Sequence, residues 1–590
     1  MLFTYPLNII SILFHVLTIS SLQTPLVAAH CPSCKAVPNT PSWPCPSAWA
    51  HLNASTGGRL LRPTPPGALC HPDQPAYNAS ACPALQAAWS TYDFHQRDPV
   101  SSMWNQFSND TCLPVPGYPC SGDGYPVFVV NATDPKHVQF GVRFARDHNV
   151  RLVVKSTGHD YVGRSVASNS LSIWTHHLRG IRTHASYSPK HCNVLINHTA
   201  VTVGAGEDMI SLYTHLDALN QTLIGGGGQT VSVGGYLTGG GHSLLSPRYG
   251  LAADQVLEMQ LVTPTGELVT ANECTNTDLF FAMRGGGGGT FGVMTSVTVR
   301  TYPTPNITNL SLTLASTDTA SPRVWEMVSY VLSQFPSLAG SGVSGYSYLF
   351  NTIPNPLAPS SNTSVSGLVA AVVLQDAPSS DSLTSLFSPI LSHINQNWPD
   401  VFVQTNVTTY PSFLSWYNEH YDTTETGLDT YIGSRLLDRA ALTANLTASA
   451  EAFRRLSSGG VATAYLVSGP GVWNADPRGG TSAVLPAWRR AYVHSTVGVG
   501  FKPLNATARA EAVEKVDYLL QGLRRLAPGM GAYVNEATPY EPDWQHQFWG
   551  DNYDRLVEIK RKVDPDDVFW CHPCVGNERW REVDGRLCRV

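Results

Sequence analysis

The sequence predicts an α+β protein of more than one domain, and three observations carry that prediction. At 590 residues the chain exceeds what one ordinary core encloses. Between residues 125 and 156 an apolar run, an amphipathic stretch and a second apolar run read as strand, helix and strand. The texture then changes twice, near residue 305 and near residue 528. Between those points Ser/Pro-rich connections and amphipathic helices replace the glycine clusters that precede them.

The elements follow in order. An apolar stretch from Leu7 to Ile19, then polar residues and Val27-Ala28-Ala29, have the order of a secretory signal, although a basic leading region is missing. The run is short of the roughly 20 residues that a spanning helix needs. Residues 1–29 are expected to be a signal peptide and the mature protein to be secreted, with no membrane span after its removal. All twelve cysteines follow that point, and an even number suits a disulfide framework. Twelve N-x-S/T sequons, from Asn53 to Asn505, add the expectation of a glycoprotein. Seven cysteines crowd into residues 31–120, so residues 30–120 are expected to be a disulfide-stapled, Pro-rich extension. CPSC (31–34) and CHPC (571–574) could be redox pairs or a zinc site, but in an exported chain structural disulfides are favoured. The formal charge of −6, without any Lys/Arg-rich block, excludes a nucleic-acid footprint.

From Tyr125 the pattern is regular. YPVFVVNA reads as a strand and TDPKHVQFGVRFARDHN as a helix, capped by Thr133 or Asp134 with Pro135 in its first turn. VRLVVKS returns as a strand, which places the loop KSTGHDYVGRS (155–165) at a strand end, where ligands commonly bind. AVTVGAG, DMISLYTHLDAL and QTLIGGGG continue the alternation. LEMQLVTPTGELVTAN reads as a hairpin turning at Pro264-Thr265-Gly266, and FGVMTSVTVRTY as a buried strand. PRVWEMVSYVLSQF and RAEAVEKVDYLLQGLRRL are helices of the central region.

Three glycine clusters, GGGG (225–228), GGYLTGGGHS (234–243) and RGGGGGTFG (284–292), interrupt apolar runs that must be buried, so they are not linkers. Glycine lets a ligand approach the backbone, and exposed amides in such loops suit a pyrophosphate. A dinucleotide is the economical ligand. The nicotinamide-binding fold is rejected, because GGYLTGGG gives no clean G-x-G-x-x-G unit with an acidic partner downstream. His159, alone between Gly158 and Asp160, could serve as metal ligand, base, phosphate contact or plain loop residue, and no partner stands at metal-ligand spacing.

Taken in order, VKSTGHDYVGRS, SLSIWTHHLRGI, GGYLTGGGHSLLSPRYGLAADQVLEMQLVTPTGELV and NTDLFFAMRGGGGGTFGVMTSVTV resemble the FAD-linked oxidases of the vanillyl-alcohol oxidase superfamily. The closing YVN, NYDRL and KVDPDDVF resemble the berberine-bridge-enzyme branch, and exported fungal isoamyl alcohol oxidase-like proteins are similar in feel. The resemblance implies a two-part, PCMH-type FAD-binding domain formed by both chain ends, over which a central α+β substrate domain lies. On that plan residues 121–305 and 528–575 form the FAD-binding domain, 306–527 the substrate domain, and 576–590 a tail. It further implies that His159 bonds covalently to FAD, that Gly158, Gly163, Arg164 and Ser165 cradle the pyrophosphate, and that Asp160 is among the cofactor-binding residues. Gly235, Gly239, Gly240 and His242 would line the other side of the flavin, and Gly292 and Val293 would approach the adenine end. Berberine bridge enzymes carry a second anchoring cysteine where this chain has Gly228, so a single attachment is expected. The small Val231 fits the oxygen-accessible flavin of the oxidases in this resemblance.

For substrate chemistry, Tyr533 is the first candidate for a catalytic role and Glu536 the second, with Asn535 beside the flavin. The expectation is an oxidase that passes hydride from an alcohol or other small molecule to FAD and then to O2, giving H2O2, with a place in secondary metabolism. A secreted carbohydrate oxidase and a flavin-retaining binding glycoprotein are the alternatives. Neither the substrate nor the oligomeric state is legible.

Overall fold

The computed structural model describes residues 34–355, 360, 362–583 and 585–590. The expected signal peptide, and Cys31 of CPSC, lie outside those residues. Three main sheets organise the rest. The first has four strands in the order Leu60–Leu61, Phe128–Asn131, Ser170–Trp174, Arg151–Lys155, and its last three are parallel. Parallel strands need a crossover. Helix Pro135–Asp147 supplies it, with the Asp134 carboxylate accepting from Lys136 N–H and Pro135 at the first position. The helix buries Val138, Val142 and Ala145, each of the two valines contributing about 1.5–3 kcal/mol by leaving water. A Cβ on Gly141 would come within 2.4 Å of Ile173 Cδ1, so the helix lies close against the sheet because it has none there.

The second sheet is wholly antiparallel and orders Ile181–His184, Ala200–Gly204, Val293–Arg300, Val256–Val262, Leu268–Asn272. The expected hairpin is its last pair, and Gly266 takes φ +77° in the turn. The third sheet holds eight antiparallel strands drawn from residues 307–500. Helices Arg323–Gly340, Leu446–Ser457 and Ala506–Leu526 contribute to its core, the largest apolar cluster, which includes Trp325, Phe335, Phe453 and Leu519.

The chain end returns to the first two sheets. Phe569 bridges to Leu152 in parallel, and helix Tyr553–Val563 packs on helix Thr277–Ala282. Buried Lys560 donates to Thr290 O (2.8 Å), Phe569 O (2.7 Å) and Asp564 Oδ2 (2.6 Å), fastening this helix to the third glycine cluster.

Two segments differ from expectation. Residues 34–120 are no appendage: Leu60–Leu61 joins the first sheet, and Trp49 enters the core beside Phe128 and Phe144. Their Pro and Cys content hid this, because a two-residue strand and short helices leave little periodicity. Residues 576–590, expected as a tail, form the hairpin Trp580–Val583 with Arg586–Arg589. Trp580 Nε1 donates to buried Asp567, and Cys588 is disulfide-bonded to Cys34. The CPSC cysteines therefore do not pair with each other, whereas Cys571 and Cys574 do. Cys70–Cys82, Cys112–Cys120 and Cys192–Cys274 complete the disulfides among the described residues, where Cys45 is the free thiol. Of the sequons, Asn309 is buried, its Oδ1 accepting from Trp416 Nε1, and cannot carry a glycan in the folded chain. No helix among the described residues is long and apolar enough to cross a membrane.

Candidate active site

A cavity of about 670 Å³ lies between the first two sheets and the third. One wall is nearly bare backbone: Gly226, Gly227, Gly228, Gly234, Gly235, Gly288, Gly289 and Gly292 all face it. The loop after strand Arg151–Lys155 enters this wall. Gly158 holds φ +90°, a conformation that side chains rarely adopt, and a Cβ there would meet Ser101 O at 3.1 Å.

His159 follows, half-buried in the cavity. Its ring stacks on Tyr92 (centroids 4.8 Å apart), and Nε2 bonds Thr230 Oγ1 at 2.7 Å. Burial pushes the imidazole down to about 4, so it is neutral and carries a ring lone pair. A Cβ on Gly228 would lie 3.7 Å from His159 Cε1, which puts the glycine wall directly against this ring. Cys274, the nearest downstream cysteine, is tied to Cys192 and offers no thiol.

Asp160 turns back on the same loop. Its Oδ1 accepts from Arg164 Nη2 (2.5 Å) and Nε (2.9 Å), and its Oδ2 from Arg164 N–H. Arg164 Nη2 also donates to Asn535 Oδ1 at 2.9 Å, joining the loop to the C-terminal segment. Asn535 Nδ2 in turn donates to Tyr533 OH (3.0 Å) and Gly235 O (3.2 Å). Arg164 Nη1, Ser156 Oγ and Ser165 Oγ are buried in the cavity lining without any hydrogen-bond partner. Leaving three donors unmet is costly, and a phosphate group would satisfy them. With the glycine wall, whose missing Cβ atoms leave room for a flat ring system, these residues fit FAD.

Tyr533 and Glu536 both reach the cavity, by different means. Tyr533 lies in an irregular turn, not in the strand that its apolar run suggests. Its phenol oxygen accepts from Gly241 N–H (3.2 Å) and Asn535 Nδ2. Burial, reinforced by the Glu536 charge, pushes the phenol well above its ordinary value, so it stays protonated. Glu536 accepts from two imidazoles, His242 Nε2 at 3.0 Å and His494 Nε2 at 2.7 Å. Burial alone would raise this carboxyl; the two rings outweigh it and hold it below the usual carboxylate range. Because a carboxylate only accepts, each Nε2 carries a proton. Both Nδ1 atoms are buried without a partner. The three side chains also have the spacing of metal ligands. A metal on Nε2 would, however, leave two buried Nδ1–H donors with no acceptor, so the cluster is a hydrogen-bonded one.

Of the residues expected around the cofactor, Gly158, His159, Asp160, Arg164, Ser165, Gly235, His242, Gly292, Val293 and Asn535 line the cavity. Gly163, Gly239 and Gly240 do not; they pack behind it against Phe107, Asn535 and Val484. Sequence reasoning missed His494, and also Tyr346, Tyr348, Asp422, Asp429 and Tyr465 on the facing wall. Period-two patterning was the available signal. In strand Ala491–Gly500, His494 shares a face with Thr496, Gly498 and Gly500, three cavity residues.

Comparison with known proteins gives a consistent result. Residues 126–272 match the FAD binding domain family, and residues 532–576 the family described as berberine and berberine like. The FAD-linked oxidoreductase patO of Aspergillus clavatus is 34% identical over 95% of both chains. The bifunctional decalin synthase calF of Penicillium decumbens is 32% identical over 95% of this chain and 96% of its own. The crystal structure of the VAO-type flavoprotein MtVAO713 from Myceliophthora thermophila C1 superposes with a TM-score of 0.87 at 28% identity. It spans 95% of this chain and 100% of that one.

Proposed function

This chain belongs to the FAD-linked oxidoreductases of the vanillyl-alcohol-oxidase type with a berberine-like C-terminal segment, and from that premise we propose that it is a secreted, glycosylated oxidase of a small-molecule alcohol or related metabolite. One observation carries the reading: a carboxylate fixed by two imidazoles faces a glycine-walled cavity that fits FAD. FAD supplies the two-electron acceptor, taking hydride from the substrate carbon and, in an oxidase, giving the pair to O2 as hydrogen peroxide.

The chain's own groups do the rest. His159, neutral and pressed against the glycine wall, is the single covalent anchor. Arg164, Ser156 and Ser165 hold the diphosphate. Glu536 takes the substrate hydroxyl proton, its orientation fixed by His242 and His494. Tyr533, protonated and accepting two hydrogen bonds, is left with its own O–H to orient the substrate oxygen. Small Val231 beside Gly228 leaves O2 a route. The decalin synthase among the relatives supports a role in natural-product chemistry.

Acid precipitation tests the anchor. The wild-type pellet stays yellow, whereas the His159→Ala pellet is colourless with the flavin in the supernatant. A colourless wild-type pellet would refute covalent attachment. Peroxide release over a panel of alcohols, sugars and aromatic metabolites then tests the oxidase reading.

A further inference from the structure

His159 is held from four sides by parts of the chain that lie far apart in sequence. Tyr92 stacks on one face of the ring, with centroids 4.8 Å apart and planes 23° from parallel. Tyr92 is itself fixed, since its phenol donates to Asp422 Oδ2 at 3.1 Å and its helix, Tyr92–Arg97, is capped by Thr91. Trp104 Nε1 donates to the His159 carbonyl at 3.1 Å, which anchors the backbone. Bare Gly228 lies against Cε1. The fourth contact is the hydrogen bond between Nε2 and Thr230 Oγ1, 2.7 Å long.

Thr230 is placed for that contact. It sits in the turn between the first glycine cluster and helix Val233–Thr238. Both of its neighbours are tied to the start of helix Met209–Asp217: Ile210 N–H donates to Gln229 O (3.2 Å) and Met209 N–H to Val231 O (3.1 Å). Among the described residues, His159 Nε2 is the one hydrogen-bond partner of the Thr230 hydroxyl. The imidazole is neutral, so one of its nitrogens carries a proton and the other a lone pair. The hydrogen bond made by one nitrogen decides what the other holds. A hydroxyl that accepts from Nε2–H leaves the lone pair on Nδ1, and covalent attachment consumes a lone pair.

We propose that Thr230 is a positioning residue for attachment of the flavin: its hydroxyl accepts the Nε2 proton and so holds the nucleophilic lone pair on Nδ1, while Tyr92 fixes the ring plane. The proposal rests on the reading of His159 as covalent anchor and adds the residues that ready it. Attachment forms one bond, from Nδ1 to the methyl carbon of the flavin, and breaks one C–H bond of that methyl. The imidazole gives up its Nε2 proton, for which Thr230 Oγ1 is the first acceptor. The methyl gives up a proton as well, and the two electrons released go to O2, which with both protons becomes hydrogen peroxide. Positive charge develops on the ring as the bond forms, and a charged donor makes the stronger hydrogen bond. The Thr230 contact therefore favours the attachment step over the free ring.

Acid-stable flavin is the readout, and it requires no turnover of substrate. Each full-length protein is produced on limiting riboflavin, so that unloaded sites remain, and growth of flavin in the acid pellet is timed after FAD is added in air. Thr230→Val keeps the shape and removes the hydroxyl. It should hold FAD but attach it about 10–100-fold more slowly than wild type, the worth of one hydrogen bond to a charged group. Thr230→Ser restores the hydroxyl and should attach like wild type, a rescue that a packing role would not give. Tyr92→Leu should slow attachment about 2–10-fold, the worth of an aromatic stack, whereas Tyr92→Phe keeps the ring and should stay within about twofold.

Attachment in Thr230→Val at the wild-type rate would overturn the proposal. So would Thr230→Ser as slow as Thr230→Val, because shape and not the hydroxyl would then be the cause. If Thr230→Val does not fold, Thr230→Ala takes its place with the same expectation. A wild-type pellet without flavin would sink the anchor itself and the proposal with it, whereas a yellow wild-type pellet beside an equally yellow Thr230→Val pellet sinks the proposal alone.

Discussion

The two walls of the cavity are built from different materials. The wall formed by the first two sheets is largely backbone: nine glycines, Gly158 among them, face the cavity, and the loop of residues 156–165 adds a cluster of polar side chains. The facing wall is side chain: Tyr346 and Tyr348, Asp422, Asp429, Tyr465 and Thr496 come from strands and loops spread over some 150 positions. The difference separates two tasks. Holding a large, invariant cofactor needs close approach and donors, which glycine and a single loop provide. Selecting a substrate needs a particular set of charges and rings, which only side chains provide.

If that division is right, substitutions on the two walls should fail differently. The largest effect belongs to the side-chain wall. Glu536→Gln keeps volume and removes the charge, so kcat should fall about 10²–10⁴-fold while flavin content stays near wild type. Loss of flavin in parallel would place Glu536 in the cofactor wall instead.

Substitutions supporting the glycine wall should damage stability and flavin retention first. Lys560→Met removes the cation that ties Asp564, Thr290 O and Phe569 O together, stranding a fully buried carboxylate. A loss of about 3–5 kcal/mol is expected in urea unfolding. Gly285→Ala is milder. Gly285 has φ +115°, and its Cβ would lie 2.5 Å from Val484 N. Strain and overpacking together should cost about 2–4 kcal/mol.

The smallest effect sharpens the contrast through pH. Asp429 has a raised folded pKa, so its contribution is full below its unfolded value near ~4 and declines as pH rises toward about 8. Glu536 has a depressed one, so its contribution is present above its unfolded value and is lost as pH falls through the folded one. Asp429→Asn should therefore raise the melting temperature above wild type at pH 8, and the gain should vanish near pH 5. An equal gain at both pH values would mean that Asp429 is not buried as a proton-holding acid.

Legibility in the sequence follows the same division. The strand–helix–strand unit was readable because Pro135 and Asp134 mark a helix start and Val138, Val142 and Ala145 recur on one face. The loop 155–165 and the glycine clusters were readable because their spacing is local. The role of Asp160 was not, because it binds Arg164 and only through it reaches Asn535, 371 positions beyond Arg164. Tyr533 and Glu536 stood together in one short segment with no local sign of which would be ionised. That depends on His242 and His494, which arrive from two other parts of the chain. The sheet carrying the tyrosine wall was visible only as texture, since antiparallel strands joined by long helical connections leave no fixed spacing between the residues that meet.

The sequence by itself determined the cofactor side: glycines where backbone must approach a ligand, and a lone histidine on a strand-end loop. Those properties belong to single residues and their immediate neighbours. Tertiary structure decided the substrate side, from the double imidazole on Glu536 to the buried carboxyl pair of Asp110 and Asp429. Charge state is a property of surroundings, and these surroundings exist only once distant strands have packed.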